Sequence, residues 1–222
     1  VPILTATKSR SQTDEERRKR ELALLLLIAL LARDLDRTAA QTANGTITAA
    51  AGYEAVYQAL YQAHSKAAIL GVQQAAGGAA PVTLLQQFNF RVAAQATESQ
   101  RTFLRGFITD LEAGRYDAKR SGGEGVQARK RRCALYGQRL NGTANQAWLY
   151  GMLAKGELVL WRLGKVDRDR HCRDCIMEAE QGWRRADQFT RVPGDGRTKC
   201  IVNCACSLVS ESGNEAFRLV RE

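Results

Sequence analysis

Five of the chain's six cysteines fall in its last quarter, as Cys172-x2-Cys175 and then Cys200-x3-Cys204-x-Cys206. A Cys-x2-Cys knuckle brings two thiolates within reach of one ion, and a second cluster about 25 residues later can complete a tetrahedral site. Between the clusters the apolar residues are few: Ile176, Met177, Trp183, Phe189, Val192, Ile201 and Val202. So small a piece has little core of its own and needs a cross-link to hold a shape. The sixth cysteine, Cys133, stands alone.

The remainder reads as helix: the whole chain of 222 residues has only 3 prolines, and long Ala/Leu/Gln-rich stretches precede the cysteines. Thr13 and Glu16 have the spacing of a capping box, which predicts a first helix from about Thr13 to Thr42, closed by Asn44-Gly45. Helical periodicity predicts a second over Ala51 to Ala76. It carries Val56, Leu60, Ala63, Ala67 and Leu70 on one face and a row of Tyr53, Tyr57 and Tyr61. Gly77-Gly78 and Pro81 end it. A third, amphipathic helix is predicted over Thr83 to Glu112, with Leu84, Phe88, Val92, Phe103, Phe107 and Leu111. The glycine-rich stretch Gly114–Gly125 predicts an exposed, mobile loop. A fourth helix follows over Glu124 to Lys155, weakened or kinked by Gly137 and Asn141-Gly142. The aromatic rows are what packing alone requires, and His64, with no Cys, Asp or second His beside it, carries no catalytic role.

The run Leu22–Ala32, LALLLLIALLA, has no polar residue. A spanning helix needs about 20 apolar residues, so the run is too short to cross a bilayer, and charges close it on both sides. No small-residue cleavage site follows, so it is a poor secretory signal. It predicts a helix buried almost all round, in a bundle or against other subunits.

The net charge of +10 is uneven: residues 1–159 hold 21 basic and 13 acidic side chains, residues 160–222 hold 12 and 10. The surplus sits in two clusters, Arg17-Arg18-Lys19-Arg20 and Arg129-Lys130-Arg131-Arg132. Either is a solvated helix face or a contact for nucleic acid or an acidic partner.

After Gly156 the pattern changes. Leu158–Trp161 reads as a short strand with a partner at Cys206–Val209, and pairing the two would bring the cysteine clusters to one end of a small sheet. The fold expected is mainly α: a long-helix N-terminal body with a small α+β zinc-knuckle module at the C-terminus. The domains expected are 1–123, a helical body with a basic arm; 124–157, a basic connecting helix; and 158–222, the Cys-rich module. Structural zinc, disulfides and an iron–sulfur site compete for the thiols, with zinc favoured by the knuckle and by the nearby Arg173, Arg197 and Lys199. Four of Cys172, Cys175, Cys200, Cys204 and Cys206 are the expected ligands. His171 is either a substitute ligand or a neighbour.

With those residues in view, the C-terminal third resembles a known family. The string Trp161…His171-Cys172-x2-Cys175…Gly182-Trp183…Pro193-Gly194-Asp195-Gly196-x-Thr198-x-Cys200-x2-Asn203-Cys204-x-Cys206 is similar to the signature of the phage head morphogenesis family, the Mu F-like minor head proteins of tailed bacteriophages. Ala205 stands where that family's Asn-Cys-Arg-Cys ending has arginine. The lead-in with Arg131, Gln138, Asn141 and Asn145 is also similar. The resemblance covers roughly residues 125–210 and not the N-terminal helices.

The resemblance implies a minor capsid component of the virion head, made in the bacterial cytoplasm. It would associate with the portal or major capsid protein, act in head assembly and in packaging or delivery of double-stranded DNA, and have no catalytic activity. Synthesis in a reducing compartment favours thiolates and zinc over disulfides. The residues agree in offering no nucleophile set, no paired carboxylates at a plausible site and no phosphate-binding glycine loop. A rival reading is a zinc-containing nucleic-acid-binding regulatory protein. A nearly charge-balanced module whose helix candidate, about Cys175 to Gln181, carries Glu178 and Glu180 counts against it.

Overall fold

The structure, a computed structural model, describes residues 10–77, 82–116, 118–164, 171–200 and 204–218. Gly78, Pro81, Ile201, Val202 and Asn203, and the side chains of Thr13, Leu84 and Phe88, lie outside the described set. The chain is mainly helical with a small C-terminal sheet and a cysteine cluster, as the sequence predicts.

Seven helices are described: α1 Arg10–Ala43, α2 Ala49–Ala76, α3 Val82–Glu98, α4 Arg101–Glu112, α5 Ala118–Gln138, α6 Leu140–Lys155 and α7 Arg173–Glu180. Helix α1 begins before Thr13, which therefore lies inside it instead of capping it. Helix α2 is capped by Thr48, whose hydroxyl accepts from the Ala51 N–H, and is closed by Gly77 in the left-handed region, φ 73°.

Three expectations are corrected. The third helix is two, because the chain turns at Ser99-Gln100: the Ser99 hydroxyl donates to the Ala96 carbonyl, and the Gln100 side chain turns inward onto His64. The expected loop Gly114–Gly125 is mostly helix, since α5 starts at Ala118 and carries Gly122, Gly123 and a buried Gly125. Helix α5 packs along α1, and tertiary packing of this kind can hold a helix through residues of poor propensity. The long fourth helix is broken at Arg139, between Gly137 and Asn141, into α5 and α6.

The Leu22–Ala32 run differs most from expectation. Leu24 and Leu31 are buried, but Leu22 is 65% exposed and Leu26 60%, with Leu25 and Leu30 also on the surface. Helices α2, α4 and α5 pack on one side of α1 only, so a run apolar all round finds cover for one stripe. The helix buried almost all round is α6, in which Leu140, Asn141, Gly142, Thr143, Ala144, Asn145, Ala147, Trp148, Leu149 and Met152 are all buried.

Helix α6 reaches that position through small residues. A Cβ on Gly71 of α2 would lie 2.2 Å from the Ala144 carbonyl oxygen, and one on Gly151 would lie 2.3 Å from the Ala75 Cβ. The two backbones therefore approach more closely than larger side chains allow.

The sheet is antiparallel in the order β2-β1-β3, with β1 Leu158–Arg162 between β2 Arg184–Arg185 and β3 Ser207–Ser210. The register pairs Val159 with Ser210 and Trp161 with Leu208. Val159 and Trp161 alternate inward and join Trp148, Leu149 and Met152 of α6 in a second core that also contains Cys175, Cys204 and Cys206. After β3 the chain doubles back along the body: Trp148 Nε1 donates to Asn214 Oδ1, and Gln74 Nε2 donates to the Glu215 carbonyl. Arg17 and Arg162 both pair with the Glu215 carboxylate, and Phe217 enters the first core beside Leu24 and Leu60.

Candidate metal centre

The knuckle is built by the start of α7. Cys172 is its N-cap and Cys175 lies in its first turn, so the helix sets the two sulfurs 3.4 Å apart. Cys200 approaches from the loop after Val192, and Cys204 and Cys206 come from the approach to β3, which β1 holds in register. Cys172–Cys200 is 3.7 Å, Cys175–Cys200 3.6 Å and Cys175–Cys204 3.5 Å between sulfurs. With Zn–S bonds of about 2.3 Å, a tetrahedral edge is about 3.8 Å, so each of these pairs is close enough for its two thiolates to meet on one small ion.

All five sequence-selected cysteines come together, and none is paired in a disulfide. They do not form one set of mutual neighbours. Two triads, Cys172–Cys175–Cys200 and Cys175–Cys204–Cys206, share Cys175. Crowding divides their protons. Hydrogen bonds from Cys175 and Cys204 hold the Cys200 and Cys206 thiols down to about 2, and the Trp161 indole N–H and Gly164 backbone N–H also favour the Cys206 thiolate. Cys175 is pushed up, chiefly by its hydrogen bonds to Cys200 and Cys204. A cation at the centre would replace the protons these thiols share, so its retention falls as pH falls.

A layer of charged residues fixes the ligands from outside. Asp174 accepts from the Lys199 backbone N–H at 2.8 Å, tying α7 to the loop that carries Cys200. Glu178, almost fully buried, pairs with both Arg184 and Arg191, and the Arg184 guanidinium lies 3.8 Å over the Phe189 ring. Thr198 Oγ1 is 3.1 Å from Cys200 Sγ. His171 stands at the open edge, with Nδ1 3.6 Å from Cys206 Sγ and Nε2 3.3 Å from the Gly164 carbonyl oxygen.

The Pro193–Gly196 turn seats the module on the body. Gly194 and Gly196 have φ of 83° and 79°, and Asp195 caps the turn by accepting from the backbone N–H of Val192 and Arg197. Asn145 Nδ2 donates to the Pro193 carbonyl, and a Cβ on Gly142 would lie 2.4 Å from Asp195 Cα. Asn141-Gly142, which reads in sequence as a helix weakness, is the floor of this contact.

The eight basic residues of the two clusters have different surroundings. Arg17 bonds Glu215, Arg20 bonds Gln74, Arg129 bonds Asp36, and Arg132 bonds Asp110, Tyr116 and the Phe103 carbonyl. Arg18, Lys19, Lys130 and Arg131 are exposed, Lys19 beside Glu15.

Sequence reasoning missed a polar cluster beneath the turn. His64 is fully buried, with Nδ1 2.7 Å from Thr143 Oγ1 and Nε2 2.6 Å from Gln100 Nε2. Burial, helped by the Arg139 charge, lowers its pKa to about 3. The neutral ring accepts from Gln100 and donates to Thr143, whose hydroxyl faces the Arg139 carbonyl at 3.5 Å. Nothing local marks this, because its members are far apart in the chain. No protein-family model, curated protein or solved structure matches this chain.

Among the described residues, no helix is long and apolar enough to cross a membrane.

Proposed function

We propose that this chain is a minor structural protein of a tailed-phage head, associated with the portal or capsid, whose C-terminal module is clamped by a structural zinc ion. The reading rests on the resemblance of residues 125–210. The observation that carries it is that the motif's scattered residues meet in the fold: Asn141, Gly142 and Asn145 support the Pro193–Gly196 turn, and the cysteines gather into one cluster. Asp195 is bound within its own turn and His64 within the core, so these polar groups serve the fold. That supports a structural, non-catalytic role.

The exposed apolar stripe of α1 is the assembly surface in this reading. Leu22, Leu25, Leu26 and Leu30 line one side of a helix with no neighbour there among the described residues. Such a stripe costs solubility unless a partner covers it. Arg18, Lys19, Lys130 and Arg131 are the side chains placed to meet DNA or an acidic protein surface.

The test is a Leu22→Asp/Leu26→Asp variant made in the phage that encodes the chain. The variant keeps its circular dichroism spectrum, and mass spectrometry finds it missing from purified heads that otherwise contain the wild-type chain. Normal incorporation of the variant removes α1 as the assembly surface; absence of the wild-type chain from particles overturns the reading.

A further inference from the structure

A single ion leaves part of the cysteine cluster unexplained. Cys172, Cys175 and Cys200 are mutual neighbours, and Cys204, 3.5 Å from Cys175, is the further thiol beside them that could serve as a fourth ligand. Cys175, Cys204 and Cys206 are also mutual neighbours, and His171, 3.6 Å from Cys206, is the group beside them that could serve as a fourth ligand. With that fourth ligand drawn in, each triad would suffice for one tetrahedral ion. Both sets of four contain Cys175 and Cys204, so one ion strands either Cys172 with Cys200 or Cys206 with His171.

His171 has the arrangement of a ligand. With Zn–S of about 2.3 Å and Zn–N of about 2.0 Å, a tetrahedral S···N edge is about 3.5 Å, close to its 3.6 Å separation from Cys206. Its Nε2 faces the Gly164 carbonyl oxygen, a contact that places the ring proton there and leaves the Nδ1 lone pair toward the sulfurs. Gly164 is held against the neighbouring strand by backbone: a Cβ there would lie 2.4 Å from the Ala205 carbonyl oxygen. The carbonyl that orients His171 therefore belongs to the same packed edge as Cys204 and Cys206.

We propose that the module holds two zinc ions in one cluster, with Cys175 and Cys204 bridging, Cys172 and Cys200 terminal on one ion, and Cys206 and His171 terminal on the other. This rests on reading the cluster as a metal centre and extends it. The six groups then supply four ligands to each ion and none is stranded. Charge favours it over the all-cysteine set: five thiolates against two divalent ions leave a single negative charge, whereas Cys172, Cys175, Cys200 and Cys204 on one ion leave two, in a site where Cys175, Cys204 and Cys206 are buried. The bridging role falls on Cys175, the sulfur common to both triads and 1% exposed.

The full chain, reduced and dialysed against excess Zn2+, is assayed for metal per chain, and its 113Cd2+ form is examined by NMR. Two zinc ions per chain are expected, with two 113Cd resonances that split each other through the shared sulfurs. His171→Ala, at the open edge, keeps the fold and falls to one ion. One ion in the wild type overturns the two-ion cluster and leaves the single-ion clamp standing; no bound ion overturns both. Two resonances without mutual splitting, or a His171→Ala chain that retains two ions, also overturn the cluster, since the second ion then lies elsewhere.

Discussion

His64 shows how one buried side chain can set a pH dependence. Its pKa of about 3 in the folded chain lies below the ordinary value of 6.5, so the unfolded chain binds a proton the folded one refuses. The stability it protects is fully present above pH 6.5 and is lost as pH falls toward 3. Through that window the residue should contribute a slope of about 1.4 kcal/mol per pH unit. Urea unfolding of wild type and His64→Leu from about pH 6.5 down to about pH 5 checks this: the variant is less stable at neutral pH but flatter. Ions released from the cysteine cluster add the same slope to both chains, so the difference belongs to His64. Parallel curves would remove the residue as the source. The sequence showed that His64 has no local partners; it could not show Thr143 and Gln100, which arrive from α6 and from the turn between α3 and α4.

Among the elements, α2 and α6 depend on glycine where helix propensity would prefer alanine. Gly71→Ala adds helix propensity worth about 1 kcal/mol. The new methyl meets the Ala144 carbonyl at 2.2 Å, however, and backbone cannot yield as a side-chain tip can. The net result expected is destabilisation by about 1–3 kcal/mol, read as a lowered urea midpoint. A neutral or stabilising outcome would mean that the helices are further apart than described. Periodicity located α1 and α2 closely because each is long and its pattern is local. It failed at Ser99-Gln100, where His64 draws Gln100 inward, and at Gly122–Gly125, which belong to a helix that packs on α1. Strand β2 escaped notice because Arg184-Arg185 has no alternation to read; its pairing with Leu158 and Val159 makes it a strand.

For the whole molecule, the module and the body are joined through α6 and through the returning segment Asn214–Phe217. Metal removal should therefore be felt beyond the cysteines. A strong chelator under reducing conditions is expected to expose Trp161 and Trp148, seen as a red-shifted fluorescence, while most helicity in α1 to α5 persists. Thiol titration follows the same division: five cysteines become reactive after chelation, but Cys133, whose burial lifts its pKa to about 12, reacts only after denaturation. Six equally reactive thiols, or five reactive before chelation, would contradict the clamp. If the cluster holds structural zinc, as proposed, the energy at stake is large, since such sites contribute about 10–16 kcal/mol.

The sequence by itself determined that the chain is mainly helical with a small Cys-rich C-terminal part, and it named five thiols that the fold gathers where they could hold a metal ion. Those features are local, written in periodicity and spacing. Burial was decided only by the tertiary structure, and it reversed the apolar ranking of two helices. The leucine-rich Leu22–Ala32 run of α1 keeps an exposed stripe, while α6, with Asn141, Thr143 and Asn145, is enclosed. Hydrophobicity states what a helix would gain from cover; which helix receives it depends on how many neighbours the fold brings. Glycine and alanine at Gly71, Ala75, Ala144 and Gly151 let α6 sink between the body and the module. The same distinction separates the thiols from their partners. Spacing named the sulfurs, but β1 and β3 in register, with the Gly164 carbonyl beside His171, set the sixth candidate ligand against Cys206.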